Sequence, residues 1–200
     1  KVVEIVKDQL DREVNVVVVS AIAGATDTLN TATQLAAASD DSYKSLLTEL
    51  ERKHFDIVHS LIPIETQSSI LSAVKRVFNE IENLLDGCTL LEEVTSRTSD
   101  RILSQGELLS SLIISEYLKF CGINVVWADS RELIKTNSNF GKAEVDSELT
   151  YSRIKAFYGE SDCELILAPG FISSNELGIT TTLGRGGSDL TAALFAAALR

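Results

Sequence analysis

Methionine is absent from all 200 residues, so even an initiator is missing, and Lys1 is not expected to be the natural start of the gene product. Cysteine is scarce: Cys88, Cys121 and Cys163 are odd in number, far apart and in no CxxC pair. That pattern opposes a disulfide framework and fits buried free thiols in a reducing compartment. The two histidines, His54 and His59, sit five apart, so on one helix they point about 140° from each other. They make poor metal ligands and are expected on the surface. Positive charge is also short, with 18 Lys and Arg against 29 Asp and Glu and a net charge of −11. A phosphate backbone is held by clustered positive charge, so this balance opposes nucleic-acid binding and no nucleic acid is expected as a partner. No basic segment followed by an apolar one opens the chain, and no apolar run approaches the roughly 20 residues that span a membrane. No membrane segment is expected, and the expected location is cytoplasmic.

What is present is globular: 44% hydrophobic residues, 24% charged and 6% aromatic in 21.7 kDa. This length makes one large domain or two small ones, able to bury roughly 70% of the surface of the unfolded chain without a disulfide or metal.

Lys1–Arg12 has helical apolar spacing, and Val14–Val19 is a strand whose β-branched run suits the buried interior of a parallel sheet. A small-residue loop, Ser20–Asp27, leads into a helix over Thr28–Ala38. Asp40–Ile62 and Glu65–Leu85 are amphipathic helices separated by Pro63, and Asp86-Gly87 reads as the turn that ends them. Ser99–Phe120 is a long helix with Gly122 as its C-cap glycine. Ile123–Ala128 is a strand, Asp129–Asp146 a polar loop long enough to be functional, and Ser147–Phe157 a helix. Cys163–Ala168 is a strand, Pro169-Gly170 a turn and Ile179–Leu183 a short β-branched segment. A glycine-rich loop, Gly184–Asp189, precedes Leu190–Leu199, a helix apolar all round and expected to be buried. Strands alternating with helices predict an α/β fold, an αβα sandwich around a mostly parallel central sheet.

In such folds ligands bind where strand ends feed helix N-termini. Ser20–Asp27 is one such place, with the Ser20 and Thr26 hydroxyls and small residues that admit a ligand to the backbone; a tight turn needing only Gly24 is the alternative. Thr180–Asp189 is the second. Its three glycines expose N–H groups, Ser188 or Asp189 can cap the next helix, and Arg185 offers a planar fork to a carboxylate or phosphate. An anion site outweighs a plain turn there, although neither a P-loop nor a Rossmann pattern is present. The third is Gly106-Glu107. Glycine inside a helix costs about 1 kcal/mol against alanine, which implies a close approach at Gly106. Glu107 is then placed to hold an ammonium group, or else it is a solvated surface glutamate. The remaining carboxylates Glu49, Glu51, Glu80 and Glu82 read as solvent-facing charge.

Together these segments resemble the aspartate kinases of the amino-acid kinase family. Val17–Leu29 is similar to their first substrate loop, Leu103–Ser111 to their glutamate-bearing helix and Asn139–Glu144 to a further family loop. Pro169–Ile172 and Gly178–Ala193 are similar to their longest signature, and the motifs keep the family's order and spacing over the whole chain. In style the sequence is most similar to the kinase half of bifunctional aspartokinase–homoserine dehydrogenases. The resemblance implies ATP-dependent phosphorylation of the L-aspartate side-chain carboxylate, with ATP and Mg²⁺, on the way to lysine, threonine and methionine. It implies a homodimer or higher homo-oligomer for the full-length protein. By the same resemblance Arg185 grips the α-carboxylate and Glu107 the α-ammonium, while Ser20, Ala21 and Thr26 line the aspartate site. Gly186, Gly187 and Ser188 face the reacting oxygens, and Asp189 orients a catalytic lysine. The family opens with a Lys-Phe-Gly-Gly-Thr-Ser strand that nothing in Lys1–Val14 matches, and its nucleotide-binding segment and regulatory domains follow the point where Arg200 ends this chain. The expectation is therefore a partial catalytic domain that alone binds ATP poorly and turns over negligibly. Alternatives are a superfamily kinase for glutamate, N-acetylglutamate or a nucleotide, or a non-catalytic regulatory module. Glu107 and the Arg185–Asp189 signature favour aspartate.

Overall fold

The computed structural model describes residues 2–10 and 16–200. Its first half runs α1 (Val2–Leu10), β1 (Val16–Val19), α2 (Ala25–Ala37), α3 (Tyr43–Leu61), α4 (Gln67–Leu91) and α5 (Ser96–Phe120). The second half runs β2 (Val125–Trp127), α6 (Ser130–Leu133), β3 (Lys135–Thr136), α7 (Ser147–Glu160), β4 (Leu165–Pro169), β5 (Ile172–Asn175), β6 (Thr180–Thr182) and α8 (Gly187–Ala198). The ends of the expected first helix and the start of the expected first strand, Lys1 and Asp11–Asn15, lie outside the described residues.

β1, β4 and β2 form a parallel sheet in the order β1-β4-β2. Side chains alternate across a strand, and both faces here are covered by helices. Leu165 and Leu167 of β4 pack with Val3 and Val6 of α1 and Leu118 of α5, whereas Ile166 and Ala168 pack with Ile154 of α7 and Leu194 and Phe195 of α8. The expected αβα sandwich is therefore present. A second sheet has the order β3-β5-β6, with β3 parallel and β6 antiparallel to β5. Beside the sandwich, α2, α3, α4 and α5 enclose a helical core that includes Leu29, Tyr43, Leu50, Val58, Phe78, Ile81, Leu85 and Leu109.

Several sequence expectations need correction. Among the described residues β1 is the half-buried edge of the sheet rather than its interior, and β4 is the central, fully buried strand. Asp86-Gly87 ends no helix, because α4 continues to Leu91 with Leu85 and Cys88 both packed into the helical core. Asp129–Asp146 is not simply a loop, since it holds α6 and β3. His54 is wholly buried, because it continues the apolar face made by Leu47, Leu50 and Val58, whereas His59 is exposed as expected. One face of α8 is open: Thr191, Leu194, Phe195 and Ala198 are buried, but Leu190 and a row of alanines face out. Alanines expose little apolar area, so this face costs little. The three cysteines are free, but only Cys88 is buried, Cys121 and Cys163 being partly exposed, and among the described residues no helix is long and apolar enough to cross a membrane.

Candidate active site

The parallel register brings the carboxyl ends of β1 and β4 together: Val19 pairs with Pro169, and the Gly170 N–H donates to the Val19 carbonyl at 2.8 Å. Ser20 therefore stands beside the β4–β5 turn. The chain then folds back through Gly24, at φ +82°, into α2. Beyond β6, Gly184 and Gly186 adopt φ of +72° and +73°, a backbone that side chains resist, and deliver the chain into the first turn of α8. Around these ends lies a cavity of about 270 Å³ lined by Ser20, Thr26, Glu107, Phe171, Gly184 and Gly186 through Asp189.

Glu107 is the unusual group. It is 4% exposed, and its Oε1 accepts only a long bond, 3.4 Å, from the Ala21 N–H, while Oε2 has no partner. Burial without a cation pushes its carboxyl up to about 7, against the small opposing effect of the Ala21 N–H. The solvated-surface alternative is thus excluded. The approach implied by Gly106 is also present: a Cβ there would lie 3.1 Å from the Ala21 Cβ. Helix α5 and the Ser20–Asp27 loop touch at that glycine, and Ser110 of α5 fixes the loop by donating to the Ser20 carbonyl at 2.7 Å.

Facing the same cavity is the N-terminus of α8. The helix is capped by Gly186, without a side-chain cap bond. Ser188 and Asp189 therefore lie within the first turn and do not cap it, because the positive φ at Gly186 already starts the helix two residues earlier than a Ser188 cap would allow. The first N–H groups of a helix have no intrahelical acceptor and carry partial positive charge. The Ser20 hydroxyl donates to the Ser188 hydroxyl at 2.8 Å, which fixes both at the mouth of this anion-seeking turn.

One cavity thus unites Ser20, Thr26, Glu107, Gly186, Gly187, Ser188 and Asp189, and Ala21 joins through its N–H. Arg185 does not line it. This residue is exposed on an adjoining cavity of about 670 Å³, together with Asp100, Gly141 and Thr182, and the two cavities share Thr26, Phe171 and Gly184. Sequence reasoning missed Phe171 and Asp100. Phe171 is a non-glycine residue at φ +67°, held by its N–H donating to the Thr191 hydroxyl at 3.1 Å. Asp100 is a buried carboxylate seven residues before Glu107 on α5, a spacing of two helical turns that could have marked it. Among the described residues no group of three or more His, Cys, Asp or Glu is placed to hold a metal ion.

The chain is similar to known proteins in both sequence and fold. The chain is 32% identical to bifunctional aspartokinase/homoserine dehydrogenase 1 of Arabidopsis thaliana over 98% of its own length, and spans about a fifth (21%) of that relative. It is 41% identical to lysine-sensitive aspartokinase 3 of Escherichia coli over 60% of its length, or 28% of that protein. The crystal structure of E. coli aspartokinase III in complex with aspartate and ADP superposes with a TM-score of 0.86 at 32% identity, covering 98% of this chain and 42% of that one. The model of the amino acid kinase family matches residues 1–200, and the chain belongs to that family as an aspartokinase-like domain.

Proposed function

We propose that these residues form the aspartate-binding part of an aspartate kinase, which transfers the terminal phosphoryl group of ATP to the side-chain carboxylate of L-aspartate and yields 4-phospho-L-aspartate, the first step toward lysine, threonine and methionine. The observation that carries this reading is Glu107: a buried carboxylate with an unpartnered oxygen, on the same cavity as the N-terminus of α8. An α-ammonium group supplies the missing cation. The first turn of α8 then receives the negative end of the same molecule, and Arg185 lies next door for a second carboxylate. A small zwitterion with an extra carboxylate meets these demands. The aspartate and ADP held by the E. coli relative support the same identity.

The chemistry needs no base. The aspartate side chain is ionised at neutral pH, so its oxygen attacks the γ-phosphorus directly, and the bond from that phosphorus to the β–γ bridging oxygen breaks as ADP leaves. Rate then comes from positioning and from donors placed where charge develops. The Ser188 hydroxyl and the Gly186 N–H are such donors, whereas the Gly187 N–H is already held by the Gly184 carbonyl at 3.0 Å, and Asp189 is exposed at the rim to orient a cationic group. A site without histidine or reactive cysteine is consistent with that economy.

Hydroxylamine trapping of the acyl phosphate tests the reading, with the natural-length protein, Mg-ATP and either L-aspartate or L-glutamate. Hydroxamate with aspartate alone is the expected result. Product with glutamate alone would replace the substrate, and no product with either would remove the kinase reading.

A further inference from the structure

Asp100 is 1% exposed, at the start of α5, and no cation pairs with it among the hydrogen bonds and ion pairs of the described residues. Its carboxylate instead gathers three donors from two other segments. Oδ2 accepts from the Gly141 N–H at 2.9 Å and the Thr182 N–H at 3.0 Å, and Oδ1 accepts from the Thr182 hydroxyl at 2.8 Å. Burying a carboxylate is costly unless it is hydrogen-bonded, so this arrangement is stable only with all three donors in place.

The segments it ties are those that deliver the charged groups of the site. Thr182 ends β6, and the chain passes from it through Leu183 and Gly184 to Arg185. Gly141 abuts that passage from the other side, since a Cβ on Gly184 would lie 3.3 Å from the Gly141 carbonyl oxygen. The Thr182 carbonyl in turn accepts from the Ala143 N–H at 2.9 Å. Glu107 lies two turns further along α5, on the same face as Asp100. One helix therefore carries the proposed ammonium partner directly and fixes, through Asp100, the strand end that carries the proposed carboxylate partner.

We propose that Asp100 is a positioning residue for the amino-acid substrate: by clamping Gly141 and Thr182 to α5, it sets the distance between Arg185 and Glu107 and so the grip on the α-carboxylate and α-ammonium groups. The inference rests on the aspartate kinase reading. It assigns Asp100 no contact with substrate and no part in the phosphoryl step.

The test uses the natural-length enzyme and a double-mutant cycle between Asp100→Asn and Arg185→Ala. The asparagine carbonyl can still accept from the Gly141 and Thr182 N–H groups, but its amide must then donate to the Thr182 hydroxyl, whose own proton loses its acceptor, and the charge that strengthened all three bonds is gone. Alone the substitution raises the KM for aspartate by about 10–100-fold, with kcat at saturating aspartate and the KM for ATP within about twofold. In the Arg185→Ala background it adds no further rise. An equal proportional rise in that background, or a parallel rise in the KM for ATP, overturns the proposal and leaves Asp100 a purely structural residue. Should Asp100→Asn fail to fold, Thr182→Val decides by the same criteria, with a smaller rise of about two- to fivefold because it removes only one of the three donors. A wild-type enzyme that ignores aspartate would overturn the kinase reading and this inference together. A wild-type enzyme that uses aspartate, with unchanged kinetics in both variants, would overturn this inference alone.

Discussion

Gly170 and Ser188 are packed so closely that a Cβ added to the glycine would lie 2.6 Å from the Cβ and Oγ of Ser188 and 2.8 Å from its Cα. The last of these is backbone, so the conflict is not relieved by a rotamer change. The turn after β4 can meet the first turn of α8 only because Gly170 has no side chain, and the same contact holds Ser188 at the cavity. Gly170→Ala is expected to cost about 1–3 kcal/mol of stability through overpacking and to lower Tm by about 2–10 °C. Displacement of the α8 N-terminus should also reduce kcat/KM for aspartate at least about tenfold, since misplacement by about 1 Å can cost a hundredfold. Calorimetry with steady-state kinetics checks both; an alanine variant with unchanged kinetics would show that the contact does not position Ser188.

Gly87 gives the opposite expectation. It lies inside α4, its φ is not positive, and an added Cβ would meet nothing within 4 Å. Alanine there gains about 0.5–1 kcal/mol from helix propensity alone. Gly87→Ala should therefore raise Tm by about 1–4 °C with unaltered kinetics. A lower Tm would mean that α4 does need a flexible residue at this point.

These two glycines also show what the sequence reveals and what it conceals. The Gly184–Asp189 loop, the Ser20–Asp27 loop and Gly106-Glu107 were legible as site elements, because small residues and one charge in a helix have few uses apart from close approach. Asp86-Gly87 reads locally as a turn, yet Leu85 and Cys88 on either side pack into the helical core and carry the helix through. β5 escaped for the reverse reason. Its Ile-Ser-Ser-Asn has no apolar run, but every residue is buried, with Ser173 bonded to Thr181 across the sheet and Ser174 to the Lys135 ammonium. The polarity of that strand is satisfied by partners distant in sequence, which no local pattern records. Asp100 carries only one local mark, its seven-residue spacing from Glu107, because the partners that define its role, Gly141 and Thr182, meet it only once the chain has folded.

Glu107 makes stability and function pull in opposite directions. An acid raised in the folded state contributes its stability in full below the ordinary value of 4.5 and loses it as pH rises through about 7. The ionised form is then disfavoured by up to about 3 kcal/mol in the ligand-free protein at alkaline pH. Glu107→Gln should accordingly raise Tm relative to wild type by an amount that grows from pH 5 to pH 8, while weakening aspartate far more than ATP. In the wild type, the KM for aspartate should fall as pH rises from 6 to 8, because the ammonium group pairs with the ionised carboxylate. A Tm difference independent of pH would show that the buried carboxyl is not under strain.

His54 predicts a slope of the opposite sign. The ring is wholly buried, its Nδ1 lies 2.7 Å from the Leu50 carbonyl oxygen, its Nε2 has no partner, and its edge packs against Phe78 at 5.3 Å between centroids. Burial disfavours the imidazolium and holds the group below its ordinary 6.5. The stability it contributes is present above 6.5 and lost as pH falls below that value, where the unfolded chain takes up a proton that the folded core resists. His54→Leu keeps the apolar face of α3 and removes both the titration and the orphaned nitrogen. Because one hydrogen bond is lost and one unsatisfied group is removed, its stability at pH 7.5 should lie within about 1 kcal/mol of wild type. Between pH 7 and pH 5 the variant should gain steadily on the wild type in chemical denaturation. Parallel pH profiles for the two proteins would mean that the helical core admits the charged ring, by water or by local opening, and that His54 is not held neutral by its burial.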